Sequence, residues 1–189
     1  MTSSSPPVLQ AGDVFCTRGV NWLAAGIRCA EWIWSRDNEA TYGHAGIITA
    51  APACTLEALW TVERSWLNRY AGQRVLIARP RTLSGDPVSL VSVRVAIGGL
   101  LAEHLGQPYP AWRLALHLLP PLAKFLGNGR HLVCSELTAK YLSMVGARPL
   151  PYTGANPDTL ADEWRSWKNF DIIFEGEWPS QPQEVTPCP

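Results

Sequence analysis

Residues 42–59 read YGHAGIITAAPACTLEAL, and this stretch decides how the surrounding chain is expected to fold. It contains two β-prone runs, 45–49 and 55–59, separated by a short turn around a proline. Two such runs joined by a tight turn are typical of an antiparallel pair of strands. We therefore predict that His44, which precedes the first run, and Glu57, within the second, lie on neighbouring strands.

The segments on either side of this pair add further strands. A turn at Gly12-Asp13 leads into a short β-prone run that begins at Val14. Another run covers residues 74–79 and is closed by Pro80, and a last one covers residues 170–174. Together these runs predict a sheet of at least three strands.

Five segments have the apolar spacing or the start signal of a helix: 21–34, 88–105, 112–126, 135–145 and 157–167. Asp86-Pro87 starts the second of them, because an N-cap residue followed by proline suits the first helical turn. Pro120-Pro121 is expected to break the third helix. Gly146 is the predicted end of the fourth helix. Because that helix is predicted to begin at residue 135, Cys134 lies at its N-terminus.

The length of 189 residues fits one globular domain with a sizeable core. We divide the chain into a flexible arm over 1–11, the domain over 12–174 and a Pro-rich tail over 175–189. The predicted strands and helices together indicate an α+β fold, with an antiparallel sheet packed against the helix that carries Cys134 at its N-terminus.

Composition excludes several classes of partner and location. The 16 Lys and Arg residues balance the 16 Asp and Glu residues and are scattered, so no nucleic-acid-binding surface is predicted. The first ten residues lack the basic start and apolar run of a secretory signal, which predicts a cytoplasmic location in the producing cell. No apolar stretch reaches the roughly 18 residues of a transmembrane helix, so none is predicted.

The five cysteines form no CxxC pair, and their odd number leaves at least one thiol free. This spacing predicts neither a zinc site nor a set of disulfides, and no metal or cofactor is expected.

Cys134 is the strongest candidate for a reactive side chain. The first turn of a helix offers unpaired backbone N–H groups and the positive end of the helix dipole, which together lower the pKa of a thiol. A cysteine prepared in this way can act as a nucleophile. The alternative is that Cys134 is a small buried hydrophobic residue with no chemical role.

His44 and Glu57 are candidate partners of that thiol. The small residues around His44 leave room for another group to approach its ring, although a histidine beside an apolar strand often has only a structural role. Glu57 lies among apolar residues, where an unpaired carboxylate is costly to bury, so it needs a partner. His44 on the next strand is that partner if Glu57 points inward; the alternative is a glutamate that faces solvent.

Four motifs carry a resemblance to a known family: Tyr42-Gly43-His44-Ala45-Gly46-Ile47, Leu56-Glu57-Ala58, Gly106-Gln107-Pro108-Tyr109 and Cys134-Ser135-Glu136-Leu137. In this order they resemble the permuted NlpC/P60 hydrolases, the papain relatives described as YaeF/YiiX-like and lecithin:retinol acyltransferase-like. The resemblance covers about residues 12–174. The order of histidine, acidic residue and cysteine marks the circular permutation, and order along the chain does not matter when the geometry is kept.

The resemblance implies a circularly permuted papain-like fold and a role for each motif. Cys134 takes the position of the nucleophile, His44 that of the base, and Glu57 that of the residue that orients the histidine. Glu63 follows nearby and is the alternative orienting residue. The substrate-binding positions implied are three: Tyr109, Ser135 and Asp13.

The function implied is that of a cysteine peptidase or amidase with an acyl-enzyme intermediate, acting on peptide stems of bacterial peptidoglycan. Two alternatives stay open: an acyl hydrolase or acyltransferase for lipids or thioesters, and a structural protein that has kept the fold without activity. The expected partners are a peptide or acyl substrate and contact with a cell wall or lipid surface. Delivery to the cell envelope would then depend on a phage or a secretion route.

Overall fold

A computed structural model describes residues 7–19, 41–83, 87–108, 132–149, 155–180 and 188. Within these ranges the fold is α+β, as predicted, with one six-stranded antiparallel sheet and three α-helices. The strands are β1 Val14–Thr17, β2 His44–Ala50, β3 Cys54–Ala58, β4 Val62–Trp66, β5 Arg74–Pro80 and β6 Phe170–Glu177. Two short 3₁₀ helices, Leu67–Tyr70 and Arg81–Leu83, flank β5.

The three helices are α1 Pro87–His104, α2 Cys134–Met144 and α3 Pro157–Ser166, each within a few residues of its predicted bounds. The N-cap Asn156 accepts a hydrogen bond from the backbone N–H of Thr159 at 2.7 Å, which fixes the start of α3. Gly146 has a φ of 71° beyond the end of α2, a left-handed conformation that glycine adopts without strain. The helices predicted over 21–34 and 112–126 lie outside the described residues.

The strand order across the sheet is β4-β3-β2-β1-β5-β6, and every neighbouring pair is antiparallel. β2 and β3 pair with Gly46 opposite Glu57, which confirms the predicted antiparallel pair. The edge strand β4 was not predicted because its sequence, VERSW, has no apolar run. β6 continues to Glu177, three residues beyond its predicted end, and Trp178 after it is buried.

Each face of the sheet covers its own hydrophobic core, as the alternation of side chains along a strand requires. The larger core lies between one face and the three helices, and its buried residues include Ile47, Leu56, Leu76, Leu137 and Trp164. The smaller core lies on the other face and includes Phe15, Ile48, Tyr70, Ile77 and Trp178. Side chains of neighbouring residues in β2 therefore reach different cores.

A disulfide joins Cys54 on β3 to Cys188, with their Cα atoms 5.7 Å apart. The spacing of the cysteines, which argued against a set of disulfides, did not indicate this single bond. The two cysteines are separated by 134 positions, and only the return of the chain to β3 brings them together. The predicted tail is therefore covalently attached to the sheet at Cys188.

No helix among the described residues combines the length and the apolar character needed to span a membrane.

Candidate active site

His44 and Glu57 form a buried pair on two adjacent strands. His44 is the first residue of β2, and Glu57 on β3 projects from the same face of the sheet. Nε2 of His44 lies 2.8 Å from Oε2 of Glu57, and the two residues are only 4 % and 0 % exposed. An ionised carboxylate this deeply buried needs donors, so the His44 nitrogen that faces Glu57 carries the proton.

Gly46 makes room for this pair. It lies opposite both Phe15 on β1 and Glu57 on β3. A Cβ atom at this position would be 2.6 Å from the Phe15 ring and 3.1 Å from Cγ of Glu57. A larger residue would therefore push the aromatic ring or the carboxylate out of place, which explains why a glycine stands two residues after His44.

Cys134 completes the group from the helical side of the sheet. It is the first residue of α2, is 2 % exposed, and lies close enough to His44 for each side chain to shift the pKa of the other. Because Nε2 of His44 is engaged by Glu57, the nitrogen left for the thiol is Nδ1. The structure thus brings together the three residues predicted to be catalytic.

The charges of the pair shift both pKa values in favour of a thiolate and an imidazolium. Burial by itself raises the pKa of Cys134, but the charge and hydrogen bond of His44 and the backbone N–H groups of Ala45 and Ser135 lower it overall. Burial lowers the pKa of His44, but Cys134 and Glu57 outweigh burial and raise it to about 10. The site therefore favours the thiolate and the imidazolium more than an isolated thiol and imidazole would.

Two residues that were not predicted hold Glu57 in place. The hydroxyl of Thr55 donates to Oε1 of Glu57, and the hydroxyl of Tyr70 donates to Oε2. Burial raises the pKa of Glu57, but the hydrogen bonds from His44, Thr55 and Tyr70 and the charge of His44 lower it overall. Thr55 could have been found from its place two residues before Glu57 on one strand, whereas no local signal points to Tyr70.

Glu63, the alternative orienting residue, does not reach the histidine. It lies opposite Glu57 in the β3–β4 pair, but its side chain is 40 % exposed. Its carboxylate accepts hydrogen bonds from Arg69 at 3.1 Å and from the hydroxyl of Thr61 at 3.4 Å. The geometry thus favours Glu57 over Glu63 as the partner of His44.

Two of the three predicted substrate-binding residues have other contacts. The Ser135 hydroxyl donates to the carbonyl of Ala155 at 2.6 Å, and only its backbone N–H faces Cys134. Asp13 binds Arg79 through both carboxylate oxygens, at 2.7 and 2.9 Å.

Asp13 also lies far from the thiol and histidine along the sheet. It precedes β1 by one residue, four positions before Thr17, which pairs with His44. At about 3.3 Å per residue, this spacing separates it from His44 by roughly 13 Å. Asp13 is therefore not brought to the site, and Tyr109, the third predicted residue, lies outside the described residues.

Within the described ranges, no group of three or more His, Cys, Asp or Glu side chains is arranged to hold a metal ion. No family model and no curated protein matches this chain. The strongest indication of what the site does is therefore its own geometry. A thiol, an imidazole and a carboxylate joined in this order are the arrangement of an activated nucleophile.

Proposed function

We propose that this protein is a thiol hydrolase that cleaves amide bonds through an acyl-enzyme formed on Cys134. The observation that carries the proposal is that the buried, hydrogen-bonded pair of His44 and Glu57 lies beside Cys134 at the N-terminus of α2. A purely structural role for the three residues would not need an ionised carboxylate behind a histidine that faces a thiol. Burying an ionised carboxylate is costly, and its chemical use here is to stabilise the imidazolium that accompanies a thiolate.

The reaction follows from the positions of the three side chains. The Cys134 sulfur attacks the carbonyl carbon, a C–S bond forms, and the carbonyl oxygen takes the negative charge. When the C–N bond breaks, the proton on Nδ1 of His44 passes to the leaving amine. Water then attacks the thioester, His44 accepts a proton from it, and the acid leaves as the thiolate is restored.

Glu57 and the helix terminus have supporting roles in these steps. Glu57 accepts the Nε2 proton of His44 in a hydrogen bond, which fixes the ring and stabilises the imidazolium. Backbone N–H groups in the first turn of α2 lack partners within the helix and can stabilise the oxyanion of the intermediate.

The class that fits best is the permuted papain-like fold of the NlpC/P60 relatives. The order of His44, Glu57 and Cys134 along the chain supports this class, as do the antiparallel sheet and the helix that begins at the cysteine. For such a protein we propose peptide stems of peptidoglycan as the substrate. The Cys54–Cys188 disulfide supports action at the cell envelope, since disulfides persist in oxidising surroundings and are rare in reducing cytoplasm.

The first test is the labelling of thiols by iodoacetamide at pH 6, read by mass spectrometry of the digested protein. An ordinary thiol has less than about 1 % thiolate at this pH. Because the pKa of Cys134 is lowered, we expect it to be labelled far faster than Cys16, and labelling should slow as the pH falls further. Equal or faster labelling of Cys16 would rule out the assignment.

The second test identifies the bond that is cut. The purified protein and its Cys134→Ala variant are incubated separately with peptidoglycan fragments and with phospholipids, and the products are analysed by mass spectrometry. New amine and carboxylate ends in the peptide stems, absent with the variant, would support amide hydrolysis. Release of fatty acid alone would replace the amide proposal with acyl-ester hydrolysis, and no product from either mixture would contradict both.

A further inference from the structure

Tyr70 contacts both the base and the carboxylate behind it and does not face solvent. It ends the 3₁₀ helix after β4 and is 0 % exposed. Its hydroxyl donates to Oε2 of Glu57, and its ring lies 5.8 Å from the His44 ring between centroids. The Phe15 ring packs on the Tyr70 ring with 5.8 Å between centroids, so Tyr70 is held in place from the smaller core.

We propose that Tyr70 is a positioning residue that sets the upper pH limit of the charged Cys134–His44 pair. This inference rests on the proposed function, because it concerns the same thiol and histidine. It assigns to Tyr70 a control over the site that neither the motifs nor the strand pattern of the sequence indicated.

The argument begins with the oxygen that Tyr70 contacts. Oε2 of Glu57 accepts from Nε2 of His44 and from the Tyr70 hydroxyl, whereas Thr55 donates to the other oxygen. A second donor on Oε2 withdraws negative charge from the atom that stabilises the imidazolium. Tyr70 therefore weakens the electrostatic stabilisation of the imidazolium by Glu57. Its hydrogen bond also keeps the carboxylate in position.

Tyr70 can act only as a donor in this position. Burial and the nearby charge of Glu57 raise the pKa of Tyr70 far above its usual range, so its hydroxyl keeps its proton throughout the working range of the site. The hydrogen bond thus persists while the charge of His44 changes.

The other charged groups around this pair are few among the described residues. Arg69 lies 6.0 Å from the centre of the Tyr70 ring and pairs with the exposed Glu63. Glu57 faces the histidine from β3, and Cys134 faces it from α2. The positive charge of Arg69 partly offsets the negative charge of Glu57. This effect is the same in the wild type and in variants that alter Tyr70 alone.

The direction of the effect follows from the chemistry. Replacing Tyr70 by phenylalanine keeps the ring but removes the donor, so more charge stays on Oε2 and the imidazolium becomes more stable. We expect the pH at which His44 loses its proton to rise by about half a unit. If Tyr70 had only a structural role, its loss would loosen the site and move this pH down, towards the value of an exposed histidine.

The experiment follows the ring of His44 by NMR as the pH is raised, in protein labelled with ¹⁵N at histidine. Tyr70→Phe is compared with the wild type and with Glu57→Gln, which removes the charge and should lower the transition of His44. Thr55→Val is the matched variant, because it removes the donor from the oxygen that His44 does not contact. Thr55→Val should raise the pH at which His44 loses its proton by less than Tyr70→Phe does.

Iodoacetamide labelling of Cys134 at pH 6 accompanies each titration, so that the two proposals can fail separately. If wild-type Cys134 is not labelled, the proposed function is wrong and the role of Tyr70 falls with it. If Cys134 is labelled but the His44 transition in Tyr70→Phe is unchanged or lower, only the role of Tyr70 is overturned. If Tyr70→Phe does not fold, Thr55→Val provides the test. The role of Tyr70 is then overturned if the pH at which His44 loses its proton is unchanged or lower in Thr55→Val.

Discussion

Neither Cys134 nor Cys16 forms a disulfide, and both are buried, yet their surroundings differ in kind. Cys16 lies within the sheet on β1, and its thiol donates to the carbonyl oxygen of Pro157 at 3.3 Å. Cys134 begins a helix and faces an imidazole that is backed by a carboxylate. A carbonyl oxygen only accepts a hydrogen bond from a thiol, whereas an imidazole can take its proton. Burial alone therefore does not determine the chemistry of a cysteine; its partner does.

The largest difference is expected when each cysteine is removed in turn. Cys134→Ala should abolish hydrolysis, a loss beyond about 10³-fold, because no other group can form the acyl-enzyme. Cys16→Ala should keep the activity and only lower the free energy of unfolding, since it removes a buried packing atom. Activity of both proteins is measured on the substrate that the product analysis identifies, with thermal unfolding as the control. A Cys16→Ala protein that folds but is inactive would reverse the comparison.

The next largest effect is expected from the imidazole. His44→Ala removes the proton acceptor and the positive charge, so the pKa of Cys134 returns towards or above its ordinary range. The rate of alkylation of Cys134 at pH 6 should fall by about 10²-fold or more.

The matched control for this change is His104, which is equally buried but lies against Gln107 and Lys140. His104→Gln should lower the stability and leave the alkylation rate of Cys134 unchanged. A fall of the same size in both variants would mean that general loosening, and not the imidazole, controls the thiol.

A smaller effect is expected from the carboxylate, for which Glu63 provides the control. Glu57→Gln keeps the shape of the side chain but removes the charge that stabilises the imidazolium, so kcat should fall by roughly 10- to 100-fold with little change in KM. Glu63→Gln alters an exposed pair with Arg69 and should change neither value. Steady-state kinetics of the two variants separates them, and the opposite result would assign the orienting role to Glu63.

The smallest effect on the thiol is expected at the far end of β1. Asp13→Asn weakens the pair with Arg79, in which Asp13 is almost fully buried. The free energy of unfolding should fall by about 1–3 kcal/mol, while alkylation of Cys134 should stay at the wild-type rate. Chemical denaturation measures the first quantity. A normal stability with weaker substrate binding would restore Asp13 as a substrate-binding residue.

The parts of the fold that could be predicted are those with a local signal. The β-prone runs predicted β2, β3 and β5, and the helical segment over 157–167 predicted α3. β4 was missed because a polar edge strand owes its conformation to pairing with β3 and not to its own residues. Local pattern therefore predicts elements that bury a continuous face, and fails for those formed by their neighbours.

The candidate site divides in the same way. His44, Glu57 and Cys134 could be proposed from the sequence because each lies at a position with a recognisable local setting. Tyr70 could not, since its contact with Glu57 depends on a 3₁₀ helix returning under the sheet, thirteen positions along the chain. The pairing of Cys54 with Cys188 has the same origin, a contact between distant positions that only the folded chain creates.

That disulfide also changes how the molecule is connected. Residues 54–188 form a covalent ring, and residues 1–53 extend from Cys54 as an open branch. β1 and β2 with His44 belong to the branch, whereas Glu57 and Cys134 belong to the ring. A single protease cut inside the ring leaves one molecule, which separates into two fragments only after reduction. A cut just before Cys54 removes the covalent link between the histidine and both of its partners, so that only hydrogen bonds and packing across the sheet hold the three together.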